Sequence, residues 1–283
     1  MKKRKEGRRL KSISPMAKVS PYIMVMRSDS QNYITDKIDI SAAEDYIFKK
    51  RSEGLKGFGM MHLIIAAYVR TIANRPGINR FIRGQKIYTR DYVEVMLTIK
   101  KEMNLDAPDS VIKMEFEPEQ TADDIYINLN ETVEASRKEE SNFDNVAKIF
   151  NFIPGLFLKF AVWFLTILDY FGLLPRSLTK VSPFHGSFAI TSMGSLGIPP
   201  IYHHLYNFGN IPVFCAFGAK RVEYELNSNG EIEKKKYIDL AFVTDERICD
   251  GFYFASALKY MKSILANPEQ LDNPPAEVIR DVD

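Results

Sequence analysis

The stretch TDERICDG, residues 244–251, stands between a strand-like alternation and a helix-like apolar pattern late in a 283-residue chain. Glu246 and Asp250, four residues apart, frame an arginine and a cysteine, and Gly251 permits a sharp exit into whatever follows. Read alone, the octapeptide is a solvated charged turn. Its flanks give it more meaning. KKYIDLAFVT (235–244) reads as a strand entered from a hairpin turn at NSNG (227–230), and IPVFCAFGAK (211–220) reads as an earlier strand. Downstream, FYFASALKYMKSIL (252–265) puts Phe254, Ala257, Leu258, Met261 and Leu265 on one face of a helix.

Composition bounds the rest. With 46% hydrophobic and 12% aromatic residues, the chain has material for a sizeable core. Thirty-eight basic residues nearly balance 36 acidic ones, so the net charge of +2 makes no case for nucleic acid as a partner. Cys215 and Cys249 lie far apart, with neither metal-ligand spacing nor a disulfide framework, which fits a reducing, cytoplasmic setting and no metal. The N-terminal MKKRKEGRRLK is basic and is not followed by the apolar stretch of a signal peptide. Residues 1–13 are expected to form a flexible basic arm.

Further along, YITDKIDIS (33–41) predicts a strand, and Ser41 with Glu44 predicts a capping box opening a helix over 42–53. GMMHLIIAAYVRTIAN (59–74) is apolar on nearly every face and predicts a buried helix, stopped at Arg75-Pro76-Gly77. His62 inside it reads as a core residue. YVEVMLTIKKE (92–102) alternates at Val93, Val95, Leu97 and Ile99, and SVIKMEFE (110–117) follows as a second strand. A polar helix is expected over 121–140, and GSFAIT (186–191) is a further strand. Helices interleaved with antiparallel and mixed strands predict one layered α/β domain.

This organisation resembles the catalytic domain of the 2-oxo acid dehydrogenase dihydrolipoamide acyltransferases and, more distantly, chloramphenicol acetyltransferase. The resemblance runs from about Ser14 to Leu271. It rests on three stretches. The family's HxxxDG motif, often DHRxxDG, sits between a strand and the last long helix, and here reads Asp245-Glu246-Arg247-Ile248-Cys249-Asp250-Gly251. Every fixed position matches except the histidine, which is Glu246. FAITSMGSLGI (188–198) resembles the family's FTISNLG strand and turn, and NRPGINRF (74–81) resembles its segment after the buried helix.

The resemblance implies a chloramphenicol-acetyltransferase-like mixed sheet packed with helices. It implies a homotrimer with active sites in channels between subunits, and CoA or an acyl-CoA as substrate with a small thiol or hydroxyl acceptor. It implies Thr191 as the hydroxyl that holds the tetrahedral intermediate, and Asp250 as the residue that organises the loop through an ion pair. With no lipoyl or subunit-binding domain ahead of Ser14, the chain resembles a stand-alone form without lipoyl attachment. The expected domain is 14–271, with an apolar helical insertion at about 149–175 and a flexible tail at 272–283.

In the family the histidine is the general base. A thiol near pKa 8.5 gives its proton to an imidazole near 6.5 uphill by roughly 2.7 kcal/mol, and to a glutamate near 4.3 by roughly 5.7 kcal/mol. The difference of about 3 kcal/mol is on the order of a hundredfold in rate, and burial that raises the glutamate pKa would close most of it. Two readings therefore stand. One is an acyltransferase with Glu246 as base. The other is a catalytically silent trimeric scaffold in which Glu246 pairs with Arg247 or an arginine of a neighbouring subunit. His203 and His204 in PPIYHHLY (199–206) are alternative bases, and His185 is a further histidine near the GSFAIT strand. Cys249 lacks the flanking histidine that would support a thiolate, and Cys215 reads as an inert core residue.

The segment IFNFIPGLFLKFAVWFLTILDYFGLLP (149–175) departs most from the family pattern. As a helix, Lys159, Thr166 and Asp169 make a narrow polar stripe with Trp163 and Tyr170 at its margins. Its apolar run between Lys159 and Asp169 is far short of the roughly 20 residues a span needs. A cap over the trimer's own core, a surface for another protein and an interfacial membrane anchor aided by the basic arm all fit this pattern.

Overall fold

The computed structural model describes residues 6–100, 109–138 and 153–283. In chain order, its strands are β1 (Arg8–Arg9), β2 (Gln31–Asp39), β3 (Arg80–Arg83), β4 (Lys86–Thr89), β5 (Val93–Lys100), β6 (Asp109–Phe116), β7 (Phe188–Ser192), β8 (Val213–Phe217), β9 (Arg221–Leu226) and β10 (Ile232–Asp245). The α-helices are α1 (Pro15–Ile23), α2 (Ser41–Ser52), α3 (Met60–Asn74), α4 (Ala122–Lys138), α5 (Gly155–Tyr170), α6 (Arg176–Val181) and α7 (Gly251–Ala266).

The main sheet runs β2-β10-β8-β7-β5-β6, with β9 paired to the first part of β10. Its two parallel pairs are β5/β7 and β7/β8, and the other pairs are antiparallel. A smaller sheet, β1-β4-β3, stands apart. The mixed α/β layering expected from the sequence is what forms.

One face of the main sheet holds the core. Val93, Val95 and Leu97 of β5 point into it at period two, beside Phe188 and Ile190 of β7, Val213 and Cys215 of β8, and Leu240 and Phe242 of β10. Against this face lies α3. From Leu63 to Ala73 every side chain is buried, so the apolar run, interrupted only by Arg70 and Thr71, matches its surroundings. Arg75 closes α3 and Pro76 follows it. His62 is a core residue, as expected: Phe58 stacks on its ring at 5.4 Å, and its Nδ1 accepts the Gly59 N–H at 3.1 Å. The apolar face of α7 packs through Phe254, Ala257, Met261, Ile264 and Leu265, with Leu258 at its margin.

Three local expectations need correction or completion. Ser41 and Glu44 do not form a capping box: the Ser41 N–H donates to Asp39 Oδ1 at 2.9 Å, and Glu44 turns outward to Lys220 and Lys236 at 2.6 and 2.5 Å. Two cations hold that carboxylate more strongly than a single backbone N–H would. The sequence reading placed no strand at RVEYEL, which forms β9, and it missed α1 and the small sheet. Parts of the expected strand at 92–102, the polar helix at 121–140 and the insertion at 149–175 fall outside the described residues.

Gly209 shows how tightly the loop before β8 is held. Its φ is +90°, and a Cβ there would lie 2.0 Å from the Phe184 carbonyl oxygen. Its own carbonyl accepts from Arg27 Nη2 at 2.6 Å. A side chain at this position therefore meets both backbone strain and a rigid neighbour. Gly209→Ala is expected to destabilise the fold by about 2–4 kcal/mol, read as a lowered midpoint in chemical denaturation. An unchanged midpoint would contradict this account of the loop.

Candidate functional site

At the end of β10 the chain turns away from the sheet on a buried carboxylate. Asp245 is 1% exposed, and Arg247 folds back on it, Nε to Oδ1 at 2.8 Å and Nη2 to Oδ2 at 2.7 Å. Ser30 Oγ donates to Asp245 Oδ1 at 3.1 Å, and Arg27 Nε approaches Oδ2 at 3.4 Å. Both arginines then reach main-chain carbonyls: Arg247 those of Met24 and Val25, Arg27 those of Tyr206 and Gly209. One carboxylate thus joins the N-terminal segment, the loop before β8 and the end of β10. Burial alone would raise the Asp245 carboxyl. The hydrogen bonds and charge of Arg247, with the charge of Arg27, outweigh burial and hold it below the ordinary carboxylate value.

Glu246 follows directly. Its N–H donates to the Ser30 carbonyl at 2.8 Å, while its side chain is exposed. The expected pair with Arg247 does not form, because Asp245 occupies that guanidinium. For Asp250 the described residues show a helix cap and no ion pair. Its Oδ1 accepts the Tyr253 N–H at 2.8 Å and caps α7, which Gly251 opens. The ion pair that organises this loop belongs to Asp245. Gly251 needs no left-handed backbone here, and a Cβ on it would meet no atom of the described chain within 4 Å.

Thr191 lies half-buried near the end of β7, in register with Ala216 of β8, which is in turn paired with Ala241 of β10. Glu246 is five residues beyond Ala241 and two strands across from β7. At about 3.3 Å per residue and 4.8 Å per strand, the two are roughly 19 Å apart. Thr191 leaves the sheet where β7 and β8 end, and Glu246 leaves it where β8 begins. Within one chain they do not meet.

The histidines are placed as follows. His203 stacks on Phe214 with ring centroids 4.4 Å apart, and burial followed by the neighbouring His204 lowers its pKa. His204 is exposed, edge-on to Tyr206, and lines a small hollow with Arg27 and Phe214. Because Phe214 is paired with Val243, His203 lies on the Glu246 side of the sheet rather than the Thr191 side. Burial pushes the Cys249 thiol up to about 12, and the Cys215 thiol is raised further still, so neither is a thiolate at neutral pH.

A second polar cluster was not foreseen. It lies on the sheet face opposite the main core. Arg90 is wholly buried over the Phe81 ring, donates to Asn210 at 2.7 Å and stands 3.8 Å from Glu94. Lys113 Nζ donates to the Thr179 carbonyl at 2.8 Å and lies 3.5 Å from Glu94; burial, only partly opposed by Glu94, pushes its ammonium down to about 8. His185, 1% exposed, connects Ser182 Oγ (2.7 Å from Nδ1) to Asp169 Oδ1 (3.2 Å from Nε2). Burial lowers the His185 pKa despite Asp169. A neutral ring protonated on Nε2 suits both neighbours, with Ser182 donating to Nδ1. This Ser-His-Asp row is enclosed by protein, and it anchors α5 through Asp169. Among the described residues no group of three or more His, Cys, Asp or Glu is placed to hold a metal ion.

Comparison with known proteins places this architecture. A probable dihydrolipoamide acetyltransferase from Listeria monocytogenes superposes with a TM-score of 0.57 at 14% identity, over 95% of this chain and 99% of that one. The Azotobacter vinelandii dihydrolipoamide acetyltransferase gives 0.59 at 13%, over 92% and 93%. A chloramphenicol acetyltransferase gives 0.56 at 11%, over 92% and 99%. No protein-family model matches the sequence, and no curated protein matches it. The fold is therefore that of the acyltransferase catalytic domains named from the sequence.

The Asp245 node has a measurable consequence. Asp245→Asn leaves Arg27 and Arg247 buried without their counter-ion and is expected to cost about 3–5 kcal/mol. Its folded-state pKa lies below the unfolded value of about 3.9, so the carboxylate's contribution is complete above that pH and is lost as pH falls through the folded value. Denaturant titrations across pH 2–7 should show that acid-side loss in wild type. They should show Asp245→Asn less stable at neutral pH and lacking this component. Equal neutral stability of the two proteins would contradict the role given to Asp245.

Proposed function

We propose that this chain is a CoA-dependent acyltransferase that moves an acyl group between a CoA thioester and a thiol or hydroxyl acceptor. Its site is built between copies of a homotrimer. The observation that carries this reading is the separation of the two matching stretches. By the sequence resemblance Thr191 and Glu246 stand for the family's oxyanion-binding hydroxyl and its base, and they leave one chain's sheet at opposite ends. A site that needs both requires Glu246 of one copy to face Thr191 of another, the arrangement that the resemblance implies. The open space beside Gly251 and the exposure of Glu246 leave room for such a neighbour.

In this reading the acceptor's S–H or O–H is deprotonated by the Glu246 carboxylate as sulfur or oxygen attacks the thioester carbon. The carbonyl oxygen becomes an oxyanion and accepts a hydrogen bond from the Thr191 hydroxyl. Collapse breaks the carbon–sulfur bond to CoA, and the departing thiolate takes the proton back from Glu246. Asp250, by capping α7, and Asp245, by pinning the backbone, fix where Glu246 stands without touching substrate. A base with a carboxylate's ordinary affinity for protons is a poor match for a thiol.

The exposed carboxylate at the base position also favours the second reading, a catalytically silent trimer used for binding or assembly. One assay separates the two: thiol release from acetyl-CoA with dihydrolipoamide or a simple alcohol, measured from pH 5 to 9. Light scattering on the same samples should give a trimer of 32.5 kDa chains. Wild-type activity is expected to rise with pH as the base loses its proton. Glu246→Gln should abolish it, and Glu246→His should raise it by up to about a hundredfold. If all three proteins are trimeric and none releases thiol above the buffer rate, the silent-trimer reading replaces the enzyme. If Glu246→Gln retains full activity, the base lies elsewhere, with His203 and His204 next to test.

A further inference from the structure

Two surface features adjoin each other at α1, β1, the β3–β4 turn and the C-terminal end of α5. The first is a cleft of about 330 Å³ whose walls carry Arg9, Lys11, Lys18 and Lys86. All four are exposed, no carboxylate lines the cleft, and no described residue forms an ion pair with any of them. The nearby Asp283 side chain is held by Arg8 at 3.2 Å, while its main-chain carbonyl accepts the Lys11 N–H at 2.9 Å. Four like charges on one small concavity repel each other unless an anion sits among them.

The second feature is apolar. On α1, Lys18 and Tyr22 form one stripe and line the cleft, while Val19 and Ile23 form the next stripe and are 48% and 68% exposed. The other apolar element is α5, in which no side chain is buried: Leu156, Phe157, Phe160 and Trp163 are 56–80% exposed. Its C-terminal end is fixed to the rim of the cleft. Tyr170 Oη donates to Gln85 Oε1 at 2.9 Å, and Gln85 lines the cleft beside Lys86. Gly84, at a φ of +52°, lets the turn approach so closely that a Cβ there would meet the Tyr170 carbonyl oxygen at 2.6 Å. The helix is thus tied at one end and, beside its narrow polar stripe, exposes apolar side chains over most of its length.

From this arrangement we propose that the face is an anionic phospholipid-binding surface. The four cations take phosphate-bearing headgroups in the cleft, and α5 and α1 lie in the interfacial layer beside it. Charge complementarity selects this occupant. Exposed aromatic and aliphatic helices adjoining cations that no described residue pairs match the anionic headgroups and the acyl chains beneath them. A second copy of a chain with a net charge of +2 offers no surplus of carboxylates for the cleft. No described helix is long and apolar enough to cross a membrane, so the contact is along the surface. This inference does not depend on acyl transfer.

Trp163 is the chain's one tryptophan, so its fluorescence reports on α5 alone. The full-length protein is titrated with vesicles of phosphatidylcholine containing phosphatidylserine, with vesicles of phosphatidylcholine alone, and with inorganic phosphate. A blue shift and co-sedimentation with the anionic vesicles only, weakened by salt, are expected. The double variant Lys18→Gln and Lys86→Gln should bind the anionic vesicles about thirtyfold more weakly, roughly fivefold for each basic residue. Phe157→Ser with Phe160→Ser, both exposed positions, should lose the co-sedimentation while circular dichroism stays unchanged. Three results would overturn the proposal: emission already blue-shifted in buffer and unmoved by vesicles, which makes α5 a contact between copies; equal binding by the Gln variant and wild type; or a response to phosphate with none to vesicles.

Discussion

Everything proposed for the site depends on one buried carboxylate held by two arginines. Asp245 terminates β10, and through Arg247 and Arg27 it fixes main-chain carbonyls at residues 24, 25, 206 and 209. Three segments distant in sequence are brought together there, and the backbone of Glu246 is set by its bond to Ser30. Pairing alone does not make such a node stabilising, because taking ions out of water costs several kcal/mol each. What makes it useful is that all its donors and acceptors are met at short range, so the chain has one way to leave the sheet. From that exit, Asp250 starts α7, and the apolar face of α7 closes the core.

The sheet then imposes a second constraint. With Thr191 in the row of Ala216 and Ala241, and Glu246 beyond the opposite end of β8, no rotamer change brings the hydroxyl and the carboxylate to a common atom. Acyl transfer through these two residues therefore requires another copy. In the proposed reading, a subunit contact supplies the second residue of the site.

The sequence carried the strands and the buried helix because their patterns are local. Val93, Val95 and Leu97 alternate, and Leu63 to Ala73 is apolar apart from Arg70 and Thr71. The resemblance of TDERICDG and FAITSMGSLGI to an acyltransferase domain supplied the architecture that the comparisons share. What stayed hidden is what only the folded chain brings together. Arg27 meets Asp245 across 218 residues, and no feature of RSDS announces it. The capping box at Ser41 failed because Lys220 and Lys236, far along the chain, claim Glu44. The buried ion pair at Asp245 and the helix cap made by Asp250 are both visible only in the folded chain. β9 was legible in part, as Val222, Tyr224 and Leu226 alternate within RVEYEL, but its pairing with the start of β10 was not.

The claim that the site forms between copies is tested most directly by mixing two inactive proteins. Thr191→Ala and Glu246→Gln are purified separately, then unfolded and refolded together, and thiol release from acetyl-CoA is measured. If each site takes Thr191 from one copy and Glu246 from the next, random mixed trimers regain up to about a quarter of the wild-type sites, while either variant refolded alone stays silent. Mixed trimers that form and remain as inactive as the separate variants, with refolded wild type active, would contradict the account.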